Sequence, residues 1–386
     1  MSDLILSFIR QYESEELVSY GSLLSLLDSC VSVLENESPS YRPLSSQKKP
    51  GGLLDFTLCK KSGEKLPVIV VPDLHGREKF IIDILKFRFP PAILKNQKNL
   101  SDSKSLSLRS PSVSSLDLMA LSASLEKCAG LSVLECLERG LLYVCCVGDI
   151  FHSEARGRER WISAFEEYSG GNRVNSFMKS EMKENLSLLE MLLVLKTTFA
   201  SHFHILKGNH ENVLNEMNVK PYGNVPFRKF CDEGNMVADF LQSCYDDLIL
   251  HEISCFEKSL PVCAVFDSCI VSHAEPAKAY TRKEIINYHE KDSSVVFGLT
   301  WTANGKADED SVEKTIKNLS GRKNAKNYVW LGGHRPVAGK YAFRQDGKYI
   351  QIHNPDEENI ALSVPERKFN PAEDIVNVEN FKNVDS

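Results

Sequence analysis

The chain has 386 residues, 42% hydrophobic and 25% charged, the composition of an ordinary globular protein with room for one large α/β domain or two. A formal net charge of −6 argues against a general nucleic-acid binder, because nonspecific polyanion affinity needs clustered Lys and Arg. It leaves a phosphorylated substrate open, since bound cations dominate the field of such a site. Eleven cysteines, odd in number, without a C-x-x-C pair and placed mostly in apolar stretches such as Cys145, Cys146 and Cys263, give no sign of a zinc ribbon or a disulfide framework. They fit reduced thiols in a reducing compartment. With no basic leader after Met1-Ser2-Asp3-Leu4 and no apolar run of spanning length, the expected location is cytoplasmic, away from the membrane.

Leu, Ile and Val at roughly helical spacing over residues 3–35 predict helices, ended by the Pro, Ser and Gly of 36–52. Residues 1–50 therefore read as an N-terminal helical extension, packed on the core as apolar helix faces usually are. Val68–Val71 is the first clear strand, its unbroken β-branched run fitting burial on both faces. A turn at 72–77 leads into an amphipathic helix over 78–89, stopped by Pro90-Pro91. Residues 92–118, rich in Ser and Lys, read as a surface insertion within a core domain of 51–364. A helical pattern over 122–139 precedes a second buried strand at 141–147, and a long helix over 176–199 precedes a third at 202–206. Such alternation implies a parallel sheet. The later strands, at 262–266, 269–272, 328–331, 340–344 and 349–353, are short and hairpin-like, with Asp346-Gly347 as a turn signal. A second, more antiparallel sheet is expected to pack on the first. The polar residues 365–386 are expected to form a poorly ordered tail.

Five of these strands end in chemistry-bearing residues: Pro72-Asp73-Leu74-His75-Gly76, Gly148-Asp149, Gly208-Asn209-His210-Glu211, Ser272-His273-Ala274 and Gly332-Gly333-His334. They supply two Asp, one Asn and four His, a mixed oxygen and nitrogen set that suits a dinuclear transition-metal site. Loops at the carboxyl ends of strands converge on one crevice in open α/β sheets, so successive strand ends can assemble one site. Gly76, Gly148, Gly208 and Gly333 allow sharp turns or close approach beside the ligands. Taken singly each segment is weak; their order and shared context give them force. His152, His202, His204, His251, His289 and His353 lack that context and read as structural, His353 least firmly.

The series D-x-H-G, G-D, G-N-H-E, a later His after a strand, and G-H resembles the calcineurin-like metallophosphoesterase superfamily over residues 65–355. The full G-N-H-E segment and the single His of Gly333-His334-Arg335-Pro336 are most similar to the phosphoprotein phosphatase branch and its bacterial relatives. The resemblance implies a β-sandwich of two mixed sheets flanked by helices, four layers in all. It implies two divalent ions, Mn, Fe, Zn, Co or Ni. Asp73, His75 and Asp149 would hold one, and Asp149, Asn209, His273 and His334 the other, with Asp149 bridging. Two ions roughly 3.5–4 Å apart clamp a phosphoryl group and make hydroxide available for in-line attack. His210 would serve the leaving oxygen rather than a metal, with Glu154 as its acidic partner.

Two departures matter. Where the branch reads G-D-x-V-D-R-G, this chain has Gly148-Asp149-Ile150-Phe151-His152-Ser153-Glu154-Ala155-Arg156-Gly157-Arg158. Arg156 is the first choice for the phosphate clamp, with Arg158 and Arg160 behind it, because a guanidinium fork matches two phosphate oxygens. Ser272-His273-Ala274-Glu275-Pro276 stands where the branch has H-G-G. Arg282 is a possible second phosphate contact, and Trp301 echoes a segment bordering the site. The expected activity is hydrolysis of phosphomonoesters, on phosphoserine or phosphothreonine in proteins or on a small ester. Phosphodiesterase or dinucleoside polyphosphate hydrolase action is the alternative on the same core, and a non-catalytic scaffold for phosphorylated partners the third reading.

Overall fold

β-Branched and apolar runs too short to span more than one layer pair into two sheets that bury them from both sides. The computed structural model describes residues 2–58, 65–90, 123–217, 225–290, 293–321, 325–365 and 367–381; the expected insertion at 92–118 lies outside them. The strands are β1 (Leu53–Asp55), β2 (Val68–Val71), β3 (Tyr143–Cys146), β4 (Phe203–Ile205), β5 (Cys263–Val265), β6 (Cys269–Ser272), β7 (Val329–Gly332), β8 (Ala342–Arg344), β9 (Tyr349–Gln351), β10 (Asn359–Ser363) and β11 (Ile375–Asn377).

The first sheet has the order β11-β10-β2-β3-β4. β2, β3 and β4 run parallel, joined by helical crossovers, while β10 pairs antiparallel with β2 and β11 antiparallel with β10. The second sheet has the order β1-β5-β6-β7-β9-β8. Its antiparallel pairs, β5 with β6 and β8 with β9, flank three parallel strands, β6, β7 and β9. The second sheet is thus less antiparallel than expected. Helices Arg282–Ile286, Val295–Thr300 and Ser311–Ser320 carry the chain over from β6 to β7, and the β8 strand turns it back before β9.

Alternation along each strand builds the layers. Val68, Val70, Cys145 and Leu206 of the first sheet meet Ala264, Val271, Leu331 and Ile350 of the second. The opposite face of the first sheet, with Ile69, Val71, Val144 and Cys146, packs on helices, among them the long Ser176–Thr198. That of the second, with Cys263, Ile270 and Trp330, packs on the crossover helices. The architecture is two mixed sheets between helical layers. Trp330, fully buried, keeps its indole N–H satisfied by donating to Ser272 Oγ at 2.8 Å.

The N-terminal helices belong to the same body. α1 (Asp3–Glu13) and α2 (Tyr20–Glu35), capped by Ser2 and Ser19, bury Ile5, Phe8, Leu23, Leu27, Cys30 and Leu34 in the cluster that includes Leu188, Leu189 and Leu192 of the long helix. The chain's end departs from the expected tail. A short helix, Pro371–Asp374, leads into β11, whose Ile375 and Val376 are buried as it pairs with β10. Two apolar residues in a polar stretch are enough when a sheet edge lies open beside them. Among the described residues no helix is long and apolar enough to cross a membrane, and every cysteine is a free thiol.

Burial pushes the imidazoles of His204 and His289 down to about 4. Histidines in the unfolded chain titrate near 6.5, at about which pH the unfolded protein begins to bind more protons than the folded one. Their stabilising contribution is complete above that value and lost as pH falls toward 4, by roughly 3 kcal/mol per imidazole. The urea midpoint is expected to drop between about pH 7 and pH 4.5, less steeply in His289→Gln. A wild-type midpoint flat across that window would contradict this account.

Candidate metal centre

The carboxyl ends of β2, β3, β4, β6 and β7 meet at one edge of the sandwich and bring Asp73, His75, Asp149, Asn209, His210, His273 and His334 together. The backbone there is unusual. His75, Asp149 and His334 have φ of +46°, +54° and +67°, a left-handed region that costs a side-chain-bearing residue energy and clusters at functional sites. Gly148, at φ +106°, lets the β3 loop pass Gly208. A methyl group on Gly333 would collide with the Asp73 carboxylate, so glycine keeps β7's loop against that side chain. Glu211 ties two loops by accepting from the backbone N–H of Asp149 at 3.0 Å and Ile150 at 2.8 Å, and from Gly208.

Ring orientation shows what these side chains offer. His273 Nδ1 donates to the Val147 carbonyl at 3.2 Å, so its Nε2 carries the lone pair. That nitrogen faces Asn209 Oδ1 at 2.9 Å and Asp149 Oδ2 at 3.4 Å. His334 Nδ1 lies 2.8 Å from the same Asn209 oxygen and 3.3 Å from His273 Nε2. On the other side of Asp149, His75 Nδ1 donates to the Phe151 carbonyl at 3.3 Å and turns Nε2 toward Asp149 Oδ2 at 3.7 Å and Asp73 Oδ2 at 3.9 Å. His273 Nε2, Asn209 Oδ1 and Asp149 Oδ2 are acceptors facing acceptors, which repel unless a cation stands among them. Asp149 is shared between the two groups.

The electrostatics agree. Burial pushes the Asp73 carboxyl up to about 6, and burial with the neighbouring Glu211 charge raises Asp149 well above the usual range. Burial also pushes His75 and His334 down to about 3 and holds His273 and His210 well below their ordinary value. Neutral imidazoles are the ligand form, and carboxylates costly to bury alone become favourable next to a divalent ion. The donor set of carboxylates, an amide oxygen and imidazoles fits Mn, Fe, Zn, Co or Ni. His210 stands differently: its backbone N–H donates to Asp149 Oδ1 at 2.9 Å, and its buried Nδ1 has no partner among the described residues.

No family model and no curated protein matches the chain. Among solved structures it is similar to a protein serine/threonine phosphatase from Saccharomyces cerevisiae with similarity to human phosphatase PP5, at 14% identity and a TM-score of 0.52, over 98% of this chain and 95% of that one. The fold is that of a phosphatase. A cold-active protein tyrosine phosphatase matches at 12% identity over 81% of this chain and 79% of its own, with a TM-score of 0.36. The cold-active protein-tyrosine phosphatase of a psychrophilic Shewanella species matches at 12% identity over 82% and 81%, with a TM-score of 0.33.

Other residues named from sequence are placed less simply. Glu154 is not bonded to His210 among the described residues. Its carboxylate instead lies 2.9 Å from His353 Nε2 and 3.6 Å from His75 Nε2, and accepts from Lys229 Nζ at 2.7 Å. Burial alone would raise its pKa, but His75 and His353 hold it well below the carboxylate range. Arg156 touches the centre through the His75 carbonyl at 3.1 Å, yet its guanidinium is also held by Glu184 at 2.6 Å on the long helix. Arg158 lies over the Phe230 ring, 6.0 Å from its centre, and Arg160 pairs with Glu184 at 2.7 Å. Arg282 is taken by Asp55 and the Leu319 carbonyl and does not join the donors. Trp301 borders them, its ring 6.5 Å from that of His334.

Sequence reasoning missed two participants. His353, read as structural, is fully buried at the end of β9, with Nε2 4.0 Å from Asp73 Oδ2. It follows a strand just as the other converging donors do, and that pattern was its one signal in the chain. Lys229 carried no signal, since it reaches Glu154 only through tertiary packing. His152 Nδ1 accepts from the Glu154 N–H at 3.1 Å, Nε2 faces Glu233 at 3.5 Å, and the ring stacks on Trp161, close to His75 and His210.

Proposed function

We propose that the protein is a metal-dependent phosphatase of the calcineurin-like metallophosphoesterase superfamily, near the phosphoprotein phosphatase branch, acting on phosphomonoesters of proteins or small molecules. The observation that carries this reading is the convergence of unprotonated His273 Nε2 with Asn209 Oδ1 and Asp149 Oδ2, a set of acceptors that makes physical sense around a cation. Asp73, His75 and Asp149 would hold one ion and Asp149, Asn209, His273 and His334 a second. When bound, such a pair supplies an activated water at neutral pH and neutralises phosphoryl charge.

The chain's own groups do the rest. Asp149, fixed by the His210 N–H, holds the two halves of the centre in register. His210, whose buried Nδ1 has no partner among the described residues, would give a hydrogen bond to the leaving oxygen. Arg156, 44% exposed and resting on the His75 carbonyl, would meet phosphate in competition with Glu184. Arg158, turned onto Phe230, stands behind it. The substrate partner is thus a phosphate ester; a cytoplasmic location would suit the free thiols.

Purification with Mn²⁺, elemental analysis and parallel assays on an aryl phosphate and its bis-aryl diester test the proposal. Two ions per chain and preferential monoester hydrolysis are expected. Chelation should abolish turnover and lower the melting temperature, because a ligand bound only by the folded state stabilises it. A protein that takes up no metal, or cleaves neither ester, sinks the reading. Faster diester cleavage moves it to the phosphodiesterase alternative.

A further inference from the structure

The two halves of the centre are not equivalent. Around His75 stand more donors than the three residues named for that ion. His353 Nε2 lies 4.0 Å from Asp73 Oδ2 and 2.9 Å from Glu154 Oε2, and Glu154 Oε2 lies 3.6 Å from His75 Nε2. Ligand atoms at about 2.1 Å from one ion lie roughly 3.0 Å apart at right angles and roughly 3.6 Å apart at 120°. Five contacts among Asp73, His75, Asp149, Glu154 and His353 measure between 2.9 and 4.0 Å and span that range. Asp73, His75 and His353 each offer a buried ligand atom within 4.8 Å of the others.

We propose that His353 and Glu154 are additional ligands of the ion held by Asp73, His75 and Asp149, making that position a five-residue site that fills first and holds its metal more tightly. This rests on the dinuclear reading above and deepens it. Position in the fold supports it: β9 runs parallel to β7, so His353 arrives from the same edge as His334, one strand further on. Glu154 is brought inward by a left-handed backbone, φ +53°, a strained conformation typical of functional positions. The charges are unequal too. The first position faces three carboxylates, Asp73, Asp149 and Glu154, whereas the second has the shared Asp149 with an amide and two imidazoles. Lys229, paired with Glu154 and 40% exposed, offsets part of that excess at the solvent edge.

Titrating metal-stripped protein with Mn²⁺, followed by calorimetry and by the electron paramagnetic resonance of free Mn²⁺, gives the test. Wild type should bind in two resolved steps. His353→Asn and, separately, Glu154→Gln should weaken the tighter step by about 10–100-fold and leave the weaker one unchanged, the scale on which loss of a metal-site contact acts. His289→Asn, a histidine outside the centre, should change neither. Circular dichroism of the stripped variants confirms that both remain folded. Unchanged affinities in both variants, or a loss confined to the weaker step, overturn the inference while leaving two-metal binding standing. A wild type that binds no Mn²⁺ overturns the dinuclear reading and this inference with it.

Discussion

His210→Asn is expected to lower kcat on an aryl phosphate by about 10²–10⁴-fold while two metal ions stay bound. The reason is positional. The His210 backbone N–H holds Asp149 Oδ1 at 2.9 Å, and asparagine at this position keeps that bond. Only the ring is lost, and its Nδ1 serves no structural partner among the described residues. Burial keeps the imidazole uncharged, and the ring packs against His75 and Phe227, 5.1 and 4.7 Å between centres. An asparagine fills part of that space without a group at the same reach. The split between kcat and KM is the informative measurement, because a group acting on the leaving oxygen alters the transition state more than the bound substrate. Loss of metal from the variant, seen by elemental analysis, would show that His210 had been given the wrong role.

Glu37→Ala is expected to destabilise the protein by about 3–5 kcal/mol, the cost of leaving buried charge without its partner. Glu37 follows α2, and its side chain is 1% exposed. Its carboxylate receives Arg42 Nη1 at 2.7 Å and Lys196 Nζ at 2.6 Å, both side chains equally buried. Arg42 also donates to the carbonyls of Gly51 at 2.8 Å and Ser259 at 2.7 Å, and Lys196 to that of Ala200 at 2.7 Å. One carboxylate thus joins the N-terminal helices, the long helix Ser176–Thr198 and the end of helix Asp247–Ser259. Removing it strands two cations. Lys196→Met removes one cation while Arg42 still neutralises Glu37, so its cost is expected to be smaller, about 1–3 kcal/mol. Urea unfolding followed by circular dichroism measures both. Equal effects, or a Glu37→Ala loss under about 1 kcal/mol, would rule out a charge anchor of this kind.

Much of the centre is legible in the chain itself because its grammar is local. A β-branched run followed by Asp, Asn or His beside Gly states both that a strand ends and that a polar group is delivered there. His353 obeys the same grammar after Tyr349-Ile350-Gln351-Ile352, but without a flanking glycine motif it passes for an ordinary buried histidine. The second sheet's parallel centre is hidden for a different reason. Strand direction depends on whether a connection crosses over or turns back, and short strands with Asp346-Gly347 between them look like hairpins throughout. The β11 strand is hidden because Ile375 and Val376 acquire meaning only when β10 offers an open edge.

By itself, the order of residues determined the strand ends, the donor types gathered there and the class of chemistry they suit, because each follows from a few neighbours in the chain. Which charges meet was decided only by the tertiary structure. Glu154 turns to His353 and Lys229 instead of His210, Arg156 leans on Glu184, and Arg282 is engaged by Asp55. Each of these pairs joins groups far apart in sequence. Their attraction acts over a few ångströms, and only the packing of two sheets and their helices brings them that close.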